Sequence, residues 1–353
     1  MTQQEHIPVF YEGQDDLIDV LATSMASVCY NTSSFIDFYI LDCGICKFNK
    51  KLLETMKEKF NNFSIEFIPV DLKQFKGLKG WGPQNKYVDC YARLLISGLK
   101  PNLDKCIYLD SDTMALDDIT KLWEIDLQNY YYAAAIELGC TSNMQNNFVK
   151  NLGLSKEHRF PNAGVFILNL KKWREDNIEE KIINLAKKYN KHLLTIHEDL
   201  FSLTFGSNNY KKLDLRFNLA DRINRVKDVN APEITDDYVE NEWKNAVIQH
   251  LTPTKPWQYM YSEENKITKN FSIFWFYAKM TPFYAGMMAR YNWVSIENIV
   301  FNQLNSINFG ERFVNKRYIK LFGIIPIVTI KRNNNKIKYK LFGFLPILTE
   351  KRK

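Results

Sequence analysis

No stretch of the 353-residue chain approaches the roughly 18 uncharged apolar residues that a membrane span needs, and 1–12 has no basic region followed by an apolar one. A cytoplasmic protein is therefore expected. Gly (14) and Pro (11) are sparse, which excludes collagen-like and low-complexity chains. Cys is sparse too: six thiols, mostly inside apolar segments, suit a reducing compartment, and Cys43-Gly44-Ile45-Cys46 lacks the second pair that a zinc site needs. With 46% hydrophobic residues, 24 Phe, 19 Tyr and 7 Trp, the chain can bury one large core.

The body also lacks the positive charge that the total of +7 suggests. Residues 311–353 hold twelve of the 47 Lys and Arg and two of the 40 acidic residues, which gives the tail +10 and leaves −3 for the rest. The tail carries an internal repeat, Lys320-Leu-Phe-Gly-Ile-Ile-Pro-Ile327 and Lys340-Leu-Phe-Gly-Phe-Leu-Pro-Ile347. A Pro in each unit rules out a continuous helix and predicts short strands or interfacial turns joined by Arg332-Asn-Asn-Asn335. Two readings follow: a C-terminal hairpin packed on the body, or attachment to an anionic membrane face. No base-stacking motif accompanies the charge, so nucleic acid is not the expected partner.

Strand-like and helix-like segments alternate through the body. Strands are expected at 7–11, 35–41, 63–70, 105–109, 131–136, 163–170 and 247–250. Helices are expected at 15–28, at 49–60 with Asn49 as cap, at 87–99 and at 171–189. This alternation predicts an α/β fold, a mostly parallel sheet flanked by helices with ligands at the carboxyl ends of the strands. Asp110-Ser111-Asp112 falls at such an end. Two carboxylates there can face one hard cation, or Asp112 can cap the next segment while Asp110 sits in a turn. Asp110-Ser-Asp-Thr113 after an apolar strand also mimics the nucleophile motif of haloacid dehalogenase-type phosphatases, although that motif opens its domain.

Tyr91-Ala92-Arg93-Leu94, Ile107-Tyr-Leu-Asp-Ser-Asp112, Asn162-Ala-Gly-Val165 leading to Asn169-Leu-Lys-Lys-Trp173, and His250 followed by Lys255-Pro-Trp257 together resemble glycosyltransferase family 8, the bacterial lipopolysaccharide α-galactosyltransferases and α-glucosyltransferases in particular. The resemblance implies a GT-A Rossmann-like fold over 1–262, followed by a helical extension, 263–310, and the basic tail. It implies transfer from a nucleotide-sugar with retention of anomeric configuration; the expected reaction moves glucose or galactose from a UDP-sugar to a glycan or lipid-linked glycan, and the basic tail adds the expectation that this takes place at the inner face of the membrane. A catalytically inactive scaffold stands as a further alternative. By the same resemblance Asp110, Asp112 and His250 hold manganese, with magnesium as the alternative. Lys255 grips the distal phosphate, and Arg93, Ser111, Asn162 and Ala163 meet the donor. The family's sugar-facing Asp-Gln pair falls on His197-Glu198, followed by Asp199, which makes Glu198 or Asp199 the carboxylate at the anomeric carbon. Glu137 matches a pocket Asp. The usual base-binding Asp-Asp-Asn-Tyr becomes Gln14-Asp15-Asp16-Leu17, so that Gln14 and Asp15 meet the nucleotide and Tyr11 is the candidate to replace the lost ring. Pro253 stands where relatives often carry Gly.

Overall fold

The computed structural model describes residues 6–82, 87–137, 142–155, 158–206, 209–220, 234–252, 255–257 and 269–290, and the backbone of four strands between 316 and 351. Pro253 and Cys140 lie outside the described residues. Two compact units result, Met1–Met288 and Ala289–Lys353.

In chain order the first unit runs β1 (His6–Gly13), α1 (Ile18–Asn31), β2 (Phe35–Asp42), α2 (Lys47–Glu54), β3 (Phe63–Pro69), α3 (Ile96–Leu99), β4 (Lys105–Leu109), β5 (Thr113–Ala115) and α4 (Thr120–Trp123). It continues through β6 (Tyr132–Ile136), α5 (Ser142–Asn147), β7 (Pro161–Asn169), α6 (Leu170–Glu175), α7 (Ile178–Tyr189), α8 (His197–Phe205), β8 (Lys211–Leu213), β9 (Leu219–Ala220), α9 (Asp236–Lys244), β10 (Ile248–His250) and α10 (Lys269–Ala278). The central sheet has the order β3-β2-β1-β4-β7-β6-β8. β1, β2, β3 and β4 pair in parallel, as do β6 and β8, while β7 runs antiparallel to both its neighbours. β1 and β4 are apolar almost throughout because they lie at the centre with both faces covered. Strand order reverses between β1 and β4, and the crevice outside their carboxyl ends is where doubly wound folds bind ligands.

α1 is buried from Ile18 to Cys29, and its polar residues are satisfied inside the core. Ser24 Oγ meets Tyr11 OH at 2.8 Å, and Ser27 Oγ accepts from Ala115 N at 2.9 Å. α10 covers its outer side, with Asn31 Nδ2 donating to Tyr277 OH at 2.8 Å. A small second sheet, β5-β10-β9, pairs Thr113 with His250 and so brings the two ends of the signature motifs together.

Three expected helices differ from the observed ones. α2 starts at Lys47 behind Cys46, so Asn49 lies inside it and donates instead to Asp15 Oδ1 at 2.9 Å. The segment 87–99 is mostly 3-10 helix, Asp89–Leu95, before the single turn of α3. The expected helix 171–189 breaks into α6 and α7 because Asn177 takes a left-handed conformation, φ 51°; Asn tolerates it at small cost.

The second unit is an antiparallel meander of β11 (Lys316–Leu321), β12 (Ile325–Asn333), β13 (Lys336–Leu341) and β14 (Leu345–Lys351). Each copy of the repeat forms one hairpin, and both slip register at the same place, after Ile319 and after Tyr339. Pro326 and Pro346 sit opposite Lys320 and Lys340 at these slips, where a residue without N–H costs the ladder least. By register, Lys316, Lys331, Lys336, Lys338, Lys340 and Lys351 occupy positions on one face with Tyr318, while Ile319, Val328, Ile330, Ile337, Tyr339, Leu341 and Leu348 occupy the other together with Arg317, Arg332 and Glu350.

Candidate active site

Asp110 leaves β4 into the crevice, its N–H donating to Gly164 O of β7 at 2.7 Å. Asp112 follows two residues on, and β10 delivers His250 beside both. His250 Nε2 stands 3.3 Å from Asp112 Oδ1 and 4.0 Å from Asp110 Oδ2. One ligand atom from each of the three lies within 4.8 Å of the others, the spacing of a shared cation site. Gly164 makes this approach possible, since a Cβ there would lie 2.3 Å from His250 Cε1 and 3.0 Å from Asp110 Oδ2. Two carboxylate oxygens and an imidazole nitrogen are a donor set that could hold a divalent cation.

Cations surround these carboxylates. Lys255 Nζ is ion-paired with Asp112 Oδ2. Burial opposes the charge on Asp112, yet Lys255 and His250 hold its carboxyl far below the usual range. Burial likewise works against a charged His250, but Asp112 and Asp110 push it above its ordinary value. Arg93 is buried and lies 4.4 Å over the Tyr108 ring. Its Nη1 contacts Asp110 Oδ1 at 3.0 Å and Ala163 O at 2.9 Å, and its Nη2 reaches Glu12 Oε2 at 3.4 Å. Arg93 thus clamps the ends of β1, β4 and β7.

A chain of amides leads away from His250. His250 Nδ1 meets Asn218 Oδ1 at 3.0 Å, and Asn218 Nδ2 donates to Asn162 Oδ1 at 2.8 Å. Asn162 Nδ2 in turn donates to Glu137 Oε2. Beyond Glu137, the half-buried Glu198 stands in the first turn of α8, its carboxyl pushed up to about 8 by burial and then by the charge of Glu137. Ile196, just before, has φ 53° and ψ −75°, near the strained γ-turn conformation and an outlier for a β-branched residue.

Several expected donor residues have other work. Tyr11 is fully buried with its hydroxyl on Ser24, so its ring presents no face to a base. Asp15 accepts from Cys46 N at 3.0 Å as well as from Asn49, and so fixes the start of α2. Asp199 is fully buried and takes Leu194 N at 2.5 Å, Thr195 N at 3.0 Å and Thr195 Oγ1 at 3.0 Å, which corrects its reading as a sugar ligand. His197 is held well below its ordinary pKa by burial and by the charge of Arg93, so the neutral ring donates Nε2–H to Cys90 O at 2.9 Å. Ser111 Oγ donates to Glu12 O at 3.3 Å, and Gln14 is half-buried at the mouth of the crevice.

The sequence reading missed Glu12, Asn218 and the steric role of Gly164. Glu12 carries a signal in hindsight: it is a charge ending an apolar strand, and burial pushes it up to about 8 even though Arg93 opposes this. Asn218 has none, because only the pairing of β9 with β10 brings it to His250.

A doubly wound α/β sheet with two carboxylates, an imidazole and a lysine at its switch point defines a GT-A-type transferase architecture. The chain belongs to glycosyl transferase family 8, whose family model matches residues 8–261. This membership displaces the phosphatase reading of Asp110. A Haemophilus influenzae protein carried under a provisional glycosyltransferase name is 34% identical over 188 residues, 52% of this chain and 54% of that protein. General stress protein A of Bacillus subtilis is 27% identical over 226 residues, 63% of this chain and 76% of that protein. Glycosyltransferase GlyF of Streptococcus pneumoniae is 25% identical over 67% of this chain and 54% of its own length. The chain thus spans about half the length of two of these three relatives. Galactosyltransferase LgtC, solved with donor and acceptor sugar analogs, shares the fold with TM-score 0.64 at 23% identity, covering 78% of this chain and 96% of that one. Among the described residues no helix is long and apolar enough to cross a membrane.

Proposed function

We propose that this enzyme is a retaining hexosyltransferase that moves glucose or galactose from a UDP-sugar to a cell-surface glycan of the lipopolysaccharide type. The observation that carries the reading is the convergence of Asp110, Asp112 and His250 at the switch point, with Lys255 beside them. In this reading Asp110, Asp112 and His250 would hold a divalent ion, manganese or alternatively magnesium. Bound there, the ion supplies positive charge against the diphosphate of the departing UDP. Lys255 adds a positive charge for the same leaving group. Arg93 orients Asp110, while Asn162, Ala163, Ser111 and Gln14 border the donor. Glu198 faces the anomeric carbon, either as nucleophile or as the group that positions the sugar for same-face attack by the acceptor hydroxyl. Glu137 lines the sugar pocket beside it.

The tail belongs to the same proposal. A sheet face with six Lys positions and no acidic one complements an anionic surface, and each basic residue near such a membrane contributes about 1 kcal/mol. The tail would hold the enzyme at the inner face of the cell membrane, where lipid-linked acceptors lie. A thermal-shift panel of nucleotide sugars with and without manganese tests the donor and the metal together. UDP-glucose or UDP-galactose should raise the midpoint, more so with manganese, because a ligand of the native state stabilises it. A preference for another nucleotide would overturn the donor assignment.

A further inference from the structure

We propose that Asn218 is a positioning residue for the metal site: with Asn162 it forms a directional amide relay that keeps a proton on His250 Nδ1 and turns Nε2 toward the cation site that His250 would share with Asp110 and Asp112. The inference rests on the metal reading above and adds residues that it does not contain.

The direction of the relay is forced at its far end. Gly164 N–H can only donate, and it does so to Asn162 Oδ1 at 2.9 Å. That fixes which end of the Asn162 amide is oxygen, and its NH2 therefore faces the carboxylate of Glu137, which accepts. Asn162 Oδ1 then takes its second hydrogen bond from Asn218, so that contact must be the Asn218 NH2. The Asn218 oxygen is left toward His250 and can only accept, so His250 Nδ1 carries a proton whether the ring is charged or neutral. Only Nε2 can exchange its proton for a metal bond. Asn162, Asn218 and His250 are each at most 6% exposed, so water is a poor substitute for any link. A ring free to rotate or change tautomer would lose this aim. Outer-shell partners that fix a metal-ligating imidazole are typically worth 10–100-fold in metal affinity.

The test is manganese titration of the full chain by calorimetry, with the thermal midpoint of each variant recorded. Asn218→Ala should weaken manganese binding about 10–100-fold, and Asn218→Ser serves if the alanine variant does not fold. Asn218→Asp keeps an acceptor for Nδ1–H but gives up the donor to Asn162, so it should bind manganese more tightly than Asn218→Ala. Unchanged affinity in Asn218→Ala, or equal loss in the Ala and Asp variants, would overturn the relay, since the second pattern means a packing role alone. Wild-type protein that binds no manganese would instead overturn the metal reading, and the relay with it.

Discussion

Glu198 has to be understood from its surroundings. Burial and the neighbouring Glu137 raise its carboxyl to about 8, so near neutral pH it holds a proton. A nucleophilic role requires the carboxylate, and transfer by that route should accelerate as pH rises toward 8. Stability should move the other way. The folded state keeps the proton up to about pH 8 while the unfolded chain releases it near 4.5, so stability from this group is complete below about 4.5 and is lost as pH rises through 8. Glu198→Gln removes that dependence. The stability of the wild type relative to Glu198→Gln should therefore fall between pH 4.5 and 8, by at most about 1.4 kcal/mol per pH unit, less whatever its partial exposure screens. Thermal midpoints of the two proteins across that range check this. A constant difference would mean that Glu198 is ionised throughout.

The elements divide into those whose apolar pattern declares them and those set by tertiary contacts. β1, β4 and β7 are readable because uninterrupted apolar runs suit only central strands, and the end of β4 therefore placed Asp110 correctly before any coordinates. α6 and α7 were not separable, since Asn177 looks like any polar residue of an amphipathic helix until its left-handed turn is seen. The roles of Tyr11 and Asp199 were likewise illegible: family position suggested Asp199 as a ligand, and Tyr11 was the candidate for the ring lost at Leu17, whereas Ser24 of α1 and the N–H groups of residues 194–195 decide where each side chain is bound. The two prolines left short strands or interfacial turns open for the tail; strands form, and their register gathers six Lys on one face while Arg317, Arg332 and Glu350 share the other with the apolar positions. A chain ending at Met288 should consequently keep its thermal midpoint and its turnover of a soluble acceptor, but lose binding to anionic vesicles. Because the Lys face acts through charge, the binding of the full chain should fall steeply with salt. Salt-insensitive vesicle binding, or unfolding of the shortened chain, would refute this role for the sheet.

At the scale of the molecule, two sheets and one crevice are arranged so that residues 138 positions apart in sequence share a ligand site. β4 carries Asp110 to the switch point, β5 and β10 pair to set His250 beside Asp112, and Arg93 ties the strand ends together. Removing Asp112 takes away a half-buried carboxylate beyond the end of β4 and leaves the core strands intact, so the fold should survive. The most direct measurement is UDP release from UDP-glucose and UDP-galactose with manganese, comparing the wild type with Asp112→Ala at equal folded fraction. Metal-dependent release by the wild type that drops at least about a hundredfold in Asp112→Ala, the scale of losing one preorganised charge-stabilising group, is the predicted result. Release that is independent of manganese, or undiminished in Asp112→Ala, would contradict the assignment.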